Sequence, residues 1–182
     1  MGHAKKDVPF RPLNIAVLTV SDTRTLETDG SGDTLDNALR EAGHNCHSRN
    51  IVVDDRYQLR AVVSQLIADA EVQVVLVTGG TGFTARDVTP EALAPLFDKE
   101  IEGFGELFRA ISYDEIGTST VQSRALAGVA NRTVIFCMPG SPKACATAWN
   151  KILREQLDAR HRPCNFVEMV MPNAETACGP RS

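Results

Sequence analysis

The segment TGGTGFTARD, residues 78–87, contains three glycines and lies between an apolar run and an apparent helix start. Because glycine has no Cβ, its amide can approach a ligand closely, and successive amides before a helix favour an anion. We therefore predict that Gly79, Gly80, Thr81 and Gly82 bind phosphate; a tight turn required only by packing is the alternative. The segment lacks the Gly-Lys-Ser/Thr of a P-loop and fits G-x-G-x-x-G poorly, so neither motif is predicted.

Two aspartates could hold a cation beside that phosphate. Asp87 ends the glycine-rich segment, and Asp54 follows the second predicted strand, so both can reach the same edge of a sheet. A carboxylate next to a phosphate is repelled unless a cation lies between them, and Mg²⁺ binds one or two carboxylates together with phosphate oxygens. Asp54 and Asp87 are therefore candidate magnesium ligands. The alternatives are that Asp54 caps the helix after it and that Asp87 pairs with Arg86.

A second candidate anion site follows the last predicted strand, in MPGSPK, residues 138–143. Pro139 and Gly140 end the strand, and Ser141 can cap the next helix ahead of a first-turn proline. Ser141, the first-turn amides and Lys143 could together hold an anion. A capped helix without a ligand explains the same residues.

The loop SDTRTLETDGSGD, residues 21–33, follows the first predicted strand and is rich in short polar side chains. Such groups suit hydrogen bonding to a heterocycle, and a solvated loop is the alternative. The candidates are Ser21, Asp22, Asp29, Ser31 and Gly32.

These loops need a sheet to bring them together. Apolar, β-branched runs predict strands, and apolar residues at helical spacing predict helices between them. The predicted strands are 14–20, 46–53, 73–78, 126–130 and 133–138, the last two joined by an Asn131-Arg132 turn. The predicted helices are 34–42, one after Asp54 or Asp55, one from Thr89 and Pro90, 103–115 and 141–157. In the third of these, Thr89 is the predicted cap, Pro90 lies in the first turn, and Pro95 should kink or shorten the helix. This order predicts an α/β protein with αβα layers, a mostly parallel sheet and a small antiparallel element. Ligands of such sheets bind beyond the carboxyl ends of the strands.

The chain has 182 residues, 43% hydrophobic and 23% charged, which is typical of one soluble domain. We divide it into an N-terminal extension, residues 1–12, a single domain, 13–166, and a flexible tail, 167–182. The formal net charge is −4 and the basic residues are scattered, so no nucleic-acid partner is predicted. No apolar run approaches the roughly 20 residues of a membrane span. No signal peptide is recognised either, so a cytoplasmic location is expected.

Cysteine and histidine point to no further site. The five cysteines form no C-x-x-C pair and are expected to be reduced. His44 and His47 form an H-x-x-H without a third ligand nearby, so zinc is not predicted.

Five motifs in order resemble the MoaB/MogA family of molybdenum cofactor biosynthesis proteins. They are VLTVSDTRT, DGSGDTL, VVLVTGGTGFTARDVTPEAL, GFGELFRAISYDEIGTSTVQSRALAGV and MPGSPKA. The resemblance covers nearly all of the chain from Leu13 to Phe166, and the fourth motif is most similar to the bacterial protein B branch. It implies a molybdopterin-binding fold and a homo-oligomer, either a trimer or a hexamer built from two trimers.

The catalytic branch of that family implies an adenylyltransferase. Molybdopterin and ATP give adenylyl-molybdopterin and pyrophosphate with Mg²⁺, and the product passes to the enzyme of molybdenum insertion. By matching positions, the resemblance assigns Asp54 and Asp87 to the metal and to catalysis, and residues 79–82 to phosphate. Other positions match pterin or nucleotide contacts: Ser123 in an SR pair, Pro139, Gly140, Ser141 and Lys143 in the PGSPK turn, and Ser21 and Asp22 at the nucleotide end.

Functions of different classes remain open. Asp54 and the complete ARDVTPEA run resemble the active pattern and favour an enzyme. A molybdopterin-binding carrier or assembly partner would keep the glycine-rich segment and the PGSPK turn but would not need both aspartates. A stable oligomer with a vestigial pocket would bind neither ligand.

A short apolar segment bears on the oligomer. Five large apolar or aromatic side chains stand close together in it: Phe104, Leu107, Phe108, Ile111 and Tyr113. They can serve a subunit contact or ordinary core packing.

Overall fold

The structure, a computed structural model, describes residues 8–172 of the chain. Six strands form one sheet in the order β2-β1-β3-β6-β5-β4. Their bounds are β1 Asn14–Val20, β2 Asn45–Val52, β3 Val74–Thr78, β4 Lys99–Glu100, β5 Leu126–Ala130 and β6 Thr133–Met138. Strands β1, β2, β3 and β6 are parallel, whereas β5 pairs antiparallel with both β6 and β4. The predicted mostly parallel sheet with a small antiparallel element is therefore confirmed.

Side chains of the central strands alternate between two hydrophobic clusters, one on each face of the sheet. Along β1, Ile15 and Val17 belong to the first cluster, whereas Ala16 and Leu18 belong to the second. Strands β3 and β6 alternate in the same way. Because both faces of these strands are buried, their sequences are continuous apolar runs rather than alternating ones.

Helices cover both faces and complete the three layers. They are α1 Gly30–Glu41, α2 Arg56–Ala68, α3 Thr89–Leu93, α4 Glu102–Ile116, α5 Pro142–Ala148, α6 Arg154–Gln156 and α7 Val167–Val170. A π-helical segment, Trp149–Leu153, joins α5 to α6. The buried apolar residues of α1, α4 and α5 belong to the first cluster, and those of α2 and α3 belong to the second. Among the helices of residues 8–172, none has the length and hydrophobicity that crossing a membrane requires.

Helix α1 begins four residues before its predicted start. The buried Asp29 caps it, because its carboxylate accepts the N–H of Gly32 at 2.9 Å. Two glycines and a serine in the first turn concealed this start, since they are weak helix formers.

Helix α3 differs at its first residue. Thr89 is its first helical residue, not its cap, and its hydroxyl donates instead to the carbonyl of Gly79 at 2.8 Å. The predicted shortening at Pro95 is confirmed, because α3 ends at Leu93 and a 3₁₀ turn follows.

Packed structure extends beyond the predicted domain boundaries at both ends. The predicted tail, 167–182, begins with α7, where Val167 and Val170 are buried. In the predicted N-terminal extension, 1–12, the ring of Phe10 lies 5.1 Å from that of His44, centroid to centroid. Residues 1–7 and 173–182 lie outside the described part of the chain.

The ends of β1, β3 and β6 meet backbone to backbone at Gly79. Its N–H donates to the carbonyl of Met138 at 3.0 Å, and its φ is +106°. A Cβ at this position would overlap the carbonyl oxygen of Val20. A left-handed φ and this contact leave room only for glycine. The first glycine of the TGGTG segment is therefore a packing residue.

We expect Gly79→Ala to lower the free energy of unfolding by about 2–3 kcal/mol, because alanine introduces both backbone strain and overlap. Urea denaturation followed by circular dichroism measures this change. The matched control is Gly103→Ala on α4, where an added Cβ meets no atom within 4 Å. The control should leave stability unchanged or raise it by up to about 1 kcal/mol. Equal stability of the two variants would contradict the packing role.

Candidate functional site

A cavity of about 460 Å³ opens at the carboxyl ends of the parallel strands. From β1 the chain crosses to β2 on one side, while β3 lies on the other, and α/β sheets bind ligands at such a switch in strand order. Most of the predicted site residues line this cavity; the exceptions are Asp29, Ser31, Gly32, Ser141 and Lys143. Its walls are Val20, Ser21, Asp22, Thr23, Asp54, Gly79, Gly80, Thr81, Gly82, Asp87, Gln122, Ser123, Pro139 and Gly140.

Asp54 reaches the cavity because its neighbour caps the next helix. The carboxylate of Asp55 accepts the N–H groups of Tyr57 at 3.0 Å and Gln58 at 2.9 Å. The alternative that Asp54 itself caps α2 is therefore wrong. The Asp54 carboxylate instead accepts the N–H of Val88 at 3.3 Å, across the cavity edge.

Asp87 is held by its own loop. One carboxylate oxygen, Oδ2, accepts both the Thr84 N–H at 2.8 Å and the Thr84 hydroxyl at 2.6 Å. The nearby backbone N–H of Gly82 also lowers the pKa of this carboxyl. Burial raises the pKa of Asp87, but these bonds and the charge of Arg124 outweigh it and keep that pKa below its usual value. Asp87 is thus an ionised carboxylate at neutral pH.

Asp54 lies in a less favourable electrostatic environment. Burial raises the pKa of the Asp54 carboxyl, the hydrogen bond from Val88 opposes that effect, and the negative charges of Asp87 and Asp22 raise the pKa further. The repulsion between a half-buried carboxylate and two neighbouring negative charges would be reduced by a cation bound among them.

Asp22 is neutralised by an arginine from the opposite loop. Arg86 donates to Asp22 Oδ2 through Nε at 3.0 Å and through the other guanidinium nitrogen at 2.5 Å. Hydrogen bonding to Arg86, and then to the N–H of Asp54, lowers the pKa of Asp22. The alternative that Arg86 pairs with Asp87 is therefore wrong, and Arg86 leaves Asp87 free for another cation.

The glycine-rich segment supplies fewer amides than predicted. The Gly79 N–H is occupied by the carbonyl of Met138. Within residues 8–172, the N–H groups of Gly80, Thr81 and Gly140 donate to no acceptor. These three amides lie in the wall of one cavity and remain available to an anion.

A buried hydroxyl without a partner also lies in the cavity wall. The Oγ of Ser123 is inaccessible to solvent and makes no hydrogen bond within the described residues. Buried polar atoms in folded proteins almost always have a partner, so such an atom calls for an explanation. Because Ser123 belongs to the cavity wall, its hydroxyl is a candidate contact for a ligand.

Two predicted residues of the MPGSPK segment, Ser141 and Lys143, do not line this cavity. The hydroxyl of Ser141 accepts the N–H of Ala144 at 3.1 Å and so caps α5. The ammonium group of Lys143 lies 3.3 Å from the carboxylate of Glu115 on α4. Both residues follow the alternative in which MPGSPK begins a capped helix, and Pro139 and Gly140 alone reach the cavity.

In the loop after β1, too, some of the predicted residues line the cavity and others do not. Ser21 and Asp22 line the cavity, whereas Asp29 binds the Thr19 hydroxyl at 2.7 Å and an Arg49 nitrogen at 3.2 Å. The buried Asp29 is committed to folding rather than to a heterocycle. Ser31 and Gly32 are likewise buried in the first turn of α1.

Asp54 and Asp87 would hold the Mg²⁺ that the family resemblance implies, and Gly80 lies beside Asp54. A Cβ at Gly80 would lie 3.1 Å from both carboxylate oxygens of Asp54 and would overlap the Thr89 hydroxyl. Glycine therefore leaves open the space beside Asp54. No group of three or more His, Cys, Asp or Glu side chains within residues 8–172 is arranged to hold a metal. Two protein carboxylates suit Mg²⁺, which keeps waters and takes substrate phosphates rather than a complete protein cage.

Comparison with known proteins identifies the family. The family model described as "Probable molybdopterin binding domain" matches residues 16–159. Molybdenum cofactor biosynthesis protein B of Escherichia coli (strain K12) is 61% identical over 157 residues, 86% of this chain and 92% of that protein. The protein of the same name from Bacillus cereus is 49% identical over 154 residues, 84% of this chain and 90% of that one.

Solved structures agree with the sequence matches. The crystal structure of a molybdenum cofactor biosynthesis protein B superimposes with a TM-score of 0.79 at 49% identity, covering 81% of this chain and 92% of that one. The tungsten cofactor synthesizing protein MoaB from Pyrococcus furiosus gives 0.71 at 38% identity, covering 81% and 94%.

This chain belongs to the molybdenum cofactor biosynthesis protein B family.

The whole cavity lies inside the molybdopterin-binding domain of this family, since its walls run from Val20 to Gly140 and the match spans 16–159. Sequence reasoning missed Gln122 and Thr23 in the walls, and Thr84 and Arg124 behind them. The spacing Thr84-x-x-Asp87 is a local hydrogen-bonding signal that could have revealed Thr84. Arg124 had no such signal, because its partners Gly82 and Asp87 are 42 and 37 residues away.

Removing the unpartnered hydroxyl of Ser123 should not destabilise the ligand-free protein. We expect Ser123→Ala to keep the free energy of unfolding within about 0.5 kcal/mol of the wild type, or to raise it, because no hydrogen bond is lost. The control is Thr89→Val, which removes a buried hydroxyl whose partner is the Gly79 carbonyl. That variant should lose about 1–3 kcal/mol. Urea denaturation without ligand compares them, and a larger loss in Ser123→Ala would show that the hydroxyl has a partner.

The raised pKa of Asp54 predicts a pH-dependent effect on stability. A carboxyl whose pKa is higher in the folded state favours folding while it is protonated, and this contribution is lost as pH rises through the raised pKa. Asp54→Asn should therefore be more stable than the wild type at pH 7, by no more than about 1 kcal/mol because the side chain keeps some solvent contact.

Thermal unfolding between pH 3.5 and 7 measures this difference, which should shrink as the pH falls towards the ordinary Asp value of 3.8. Asp114→Asn, at an exposed position on α4, is the control for the substitution itself. An Asp54→Asn variant less stable than the wild type at pH 7 would refute the charge repulsion.

Proposed function

We propose that this protein transfers the adenylyl group of ATP to the phosphate of molybdopterin, with Mg²⁺, and releases pyrophosphate. The observation that supports it most is that one cavity contains both free amides and carboxylates. The amides of Gly80, Thr81 and Gly140 have no acceptor within the described residues, and the carboxylates are those of Asp54 and Asp87. Amides attract the anionic oxygens of a nucleotide, and the carboxylates attract the cation that accompanies them. The molybdopterin-binding domain of the family supports the second substrate.

The proposed reaction is a single displacement at the α-phosphorus of ATP. A phosphate oxygen of molybdopterin attacks the α-phosphorus of ATP and forms the new P–O bond. The bond from the α-phosphorus to the oxygen that bridges the α- and β-phosphates breaks, and its electron pair leaves with pyrophosphate. Because two anions must meet, positioning and charge neutralisation supply most of the catalysis.

Asp54 and Asp87 are the proposed metal ligands. Asp54 and Asp87 would hold Mg²⁺, which supplies positive charge to the triphosphate and to the leaving pyrophosphate. Thr84 keeps Oδ2 of Asp87 in place with two hydrogen bonds, so the carboxylate is oriented before any ligand arrives. Burial and the negative charges of Asp87 and Asp22, which raise the pKa of Asp54, would both be offset by a cation bound beside its carboxylate.

The remaining walls position the substrates. The Gly80, Thr81 and Gly140 amides donate to phosphate oxygens, and the Ser123 hydroxyl gains its missing partner on the pterin side. Ser21 and Asp22 line the nucleotide end, where Arg86 already balances the charge of Asp22.

A non-catalytic molybdopterin carrier or assembly partner is the second candidate. The observation in its favour is that the unpartnered Ser123 hydroxyl and the loop amides need only a bound ligand, not a reaction. A carrier would gain nothing from a half-buried Asp54 that is repelled by two neighbouring carboxylates. This unfavourable charge arrangement therefore favours the enzyme.

Pyrophosphate release tests the proposed function. With ATP, molybdopterin and Mg²⁺, the wild type should release pyrophosphate, and omission of either molybdopterin or Mg²⁺ should abolish the release. Asp87→Ala should lower the rate at least about 100-fold, the scale of losing a positioned charge-stabilising group. Asp114→Ala, on the exposed surface of α4, should retain the wild-type rate.

Two results would overturn the proposed reaction. Tight molybdopterin binding without pyrophosphate release would establish the carrier instead. Failure to bind either molybdopterin or ATP would leave a vestigial pocket. Equal rates for Asp87→Ala and Asp114→Ala would remove Asp87 from catalysis even if release were observed.

We also propose a homo-oligomer, a trimer or a hexamer, that works in the cytoplasm and passes its product to a molybdenum-insertion enzyme. The surface of α4 supports a subunit contact. Phe104 and Phe108 are buried in the core, whereas Leu107, Tyr113 and Ile116 remain 47%, 57% and 48% exposed. Exposed apolar groups concentrated on one helix are typical of an interaction surface.

A further inference from the structure

Arg124 lies directly behind the cavity and binds the loop that carries Asp87 at both ends. Its Nε donates to the carbonyl of Gly82 at 2.8 Å, and one terminal nitrogen donates to the carbonyl of Asp87 at 2.9 Å. The loop from Gly82 to Asp87 is therefore closed by one guanidinium group. Because guanidinium is planar and rigid, two such bonds fix the distance between the two ends of the loop.

The guanidinium group is itself held on its remaining sides. Its third nitrogen forms an ion pair with Glu91 on α3. The ring of Phe83 covers it, with the Arg124 carbon Cζ 5.1 Å from the ring centroid. The side chain of Arg124 is only 21% exposed. Charge-assisted bonds in such a partly buried setting are stronger than exposed ones.

The main chain of Arg124 joins a second wall of the cavity to the same loop. Its N–H donates to the carbonyl of Thr81 at 3.3 Å, and the preceding residue is Ser123, whose hydroxyl lacks a partner. The cavity walls include Ser123 but not Arg124. Arg124 thus reaches both the carboxylate loop and the serine without touching the cavity.

We propose that Arg124 is a positioning residue that sets the Asp87 loop for divalent-cation binding and couples that loop to the Ser123 side of the cavity. The cation role of Asp87 rests on the proposed function, whereas the loop geometry does not. The ligand class at this loop is a divalent cation with phosphate oxygens, and Arg124 acts on it only through Asp87.

Amide hydrogen exchange in the ligand-free full-length protein tests the loop geometry. The reporters are the Thr84 N–H, bonded to the Asp87 carboxylate, and the Asp87 N–H, bonded to the Thr84 carbonyl at 3.1 Å. Arg124→Met should speed exchange of both amides by about 10-fold or more, the scale of losing a charge-assisted hydrogen bond. Arg124→Lys keeps the charge but has one nitrogen for two carbonyls, so it should give an intermediate rate.

The matched control is Arg60→Met. Arg60 also donates to two backbone carbonyls, of Ala92 at 2.9 Å and Glu91 at 2.9 Å, but it makes no bond to the loop. Its loss should leave exchange at Thr84 and Asp87 unchanged. Wild-type exchange rates in a folded Arg124→Met variant, or in Arg124→Lys if the methionine variant does not fold, would overturn the inference.

Titration of ATP binding with Mg²⁺ provides the second readout. Arg124→Met should raise the Mg²⁺ concentration for half-maximal ATP binding by about 10-fold, with binding restored at saturating Mg²⁺. Arg124→Lys should recover part of this shift, and Arg60→Met should show none. A wild type that binds no ATP with Mg²⁺ would refute the proposed function, whereas faster loop exchange in Arg124→Met would still support the loop geometry. An unchanged Mg²⁺ requirement in Arg124→Met would refute the positioning role even if the wild type binds.

Discussion

The site depends on the close backbone approach of three strand ends at Gly79. The Gly79 N–H is bonded to the end of β6, its missing Cβ leaves room for the end of β1, and a Cβ on Gly140 would lie 3.0 Å from the Gly79 Cα. Because the strand ends are this close, the loops that follow them surround one volume instead of three separate clefts. The residue that sequence reasoning assigned to phosphate therefore builds the cavity, and the amides of its neighbours remain for a ligand.

Charge is the second constraint on the cavity, and its three carboxylates differ in how that charge is balanced. Arg86 neutralises Asp22, and hydrogen bonds from Thr84 stabilise the ionised form of Asp87. Burial and then the charges of Asp87 and Asp22 raise the pKa of Asp54, and the Val88 N–H and Arg86 offset this rise only in part. Such a stored repulsion is typical of a functional site, since a stable fold alone would favour its removal. The cation proposed for this site would relieve the repulsion at Asp54.

Polar contacts behind the walls explain how such a site keeps its shape. Thr89 and Arg124 both bind backbone carbonyls of the glycine-rich segment, one through a hydroxyl and the other through a guanidinium group. Because these hydrogen bonds fix the loop backbone from outside the cavity, the loops need no side-chain packing on the cavity side. The backbone amides on that side therefore stay accessible. The Ser123 hydroxyl stands out against these contacts because, in the described part of the chain, it alone among the cavity walls is buried without a partner.

The sequence by itself determined the layered α/β architecture, because the continuous apolar runs of β1, β3 and β6 permit only a sheet buried on both faces. It also located most of the cavity, since the carboxyl ends of parallel strands share one edge and the glycine-rich and acidic loops follow those ends. Tertiary structure alone decided the roles of individual residues within these loops. Contacts between segments decided three such choices. Asp55 rather than Asp54 caps a helix, and Arg86 pairs with Asp22 rather than Asp87. Lys143 lies beside Glu115 rather than in the cavity. Hydrogen bonds and ion pairs form only when the interatomic distances are right to within a few tenths of an ångström, and the order of residue types along the chain does not specify those distances.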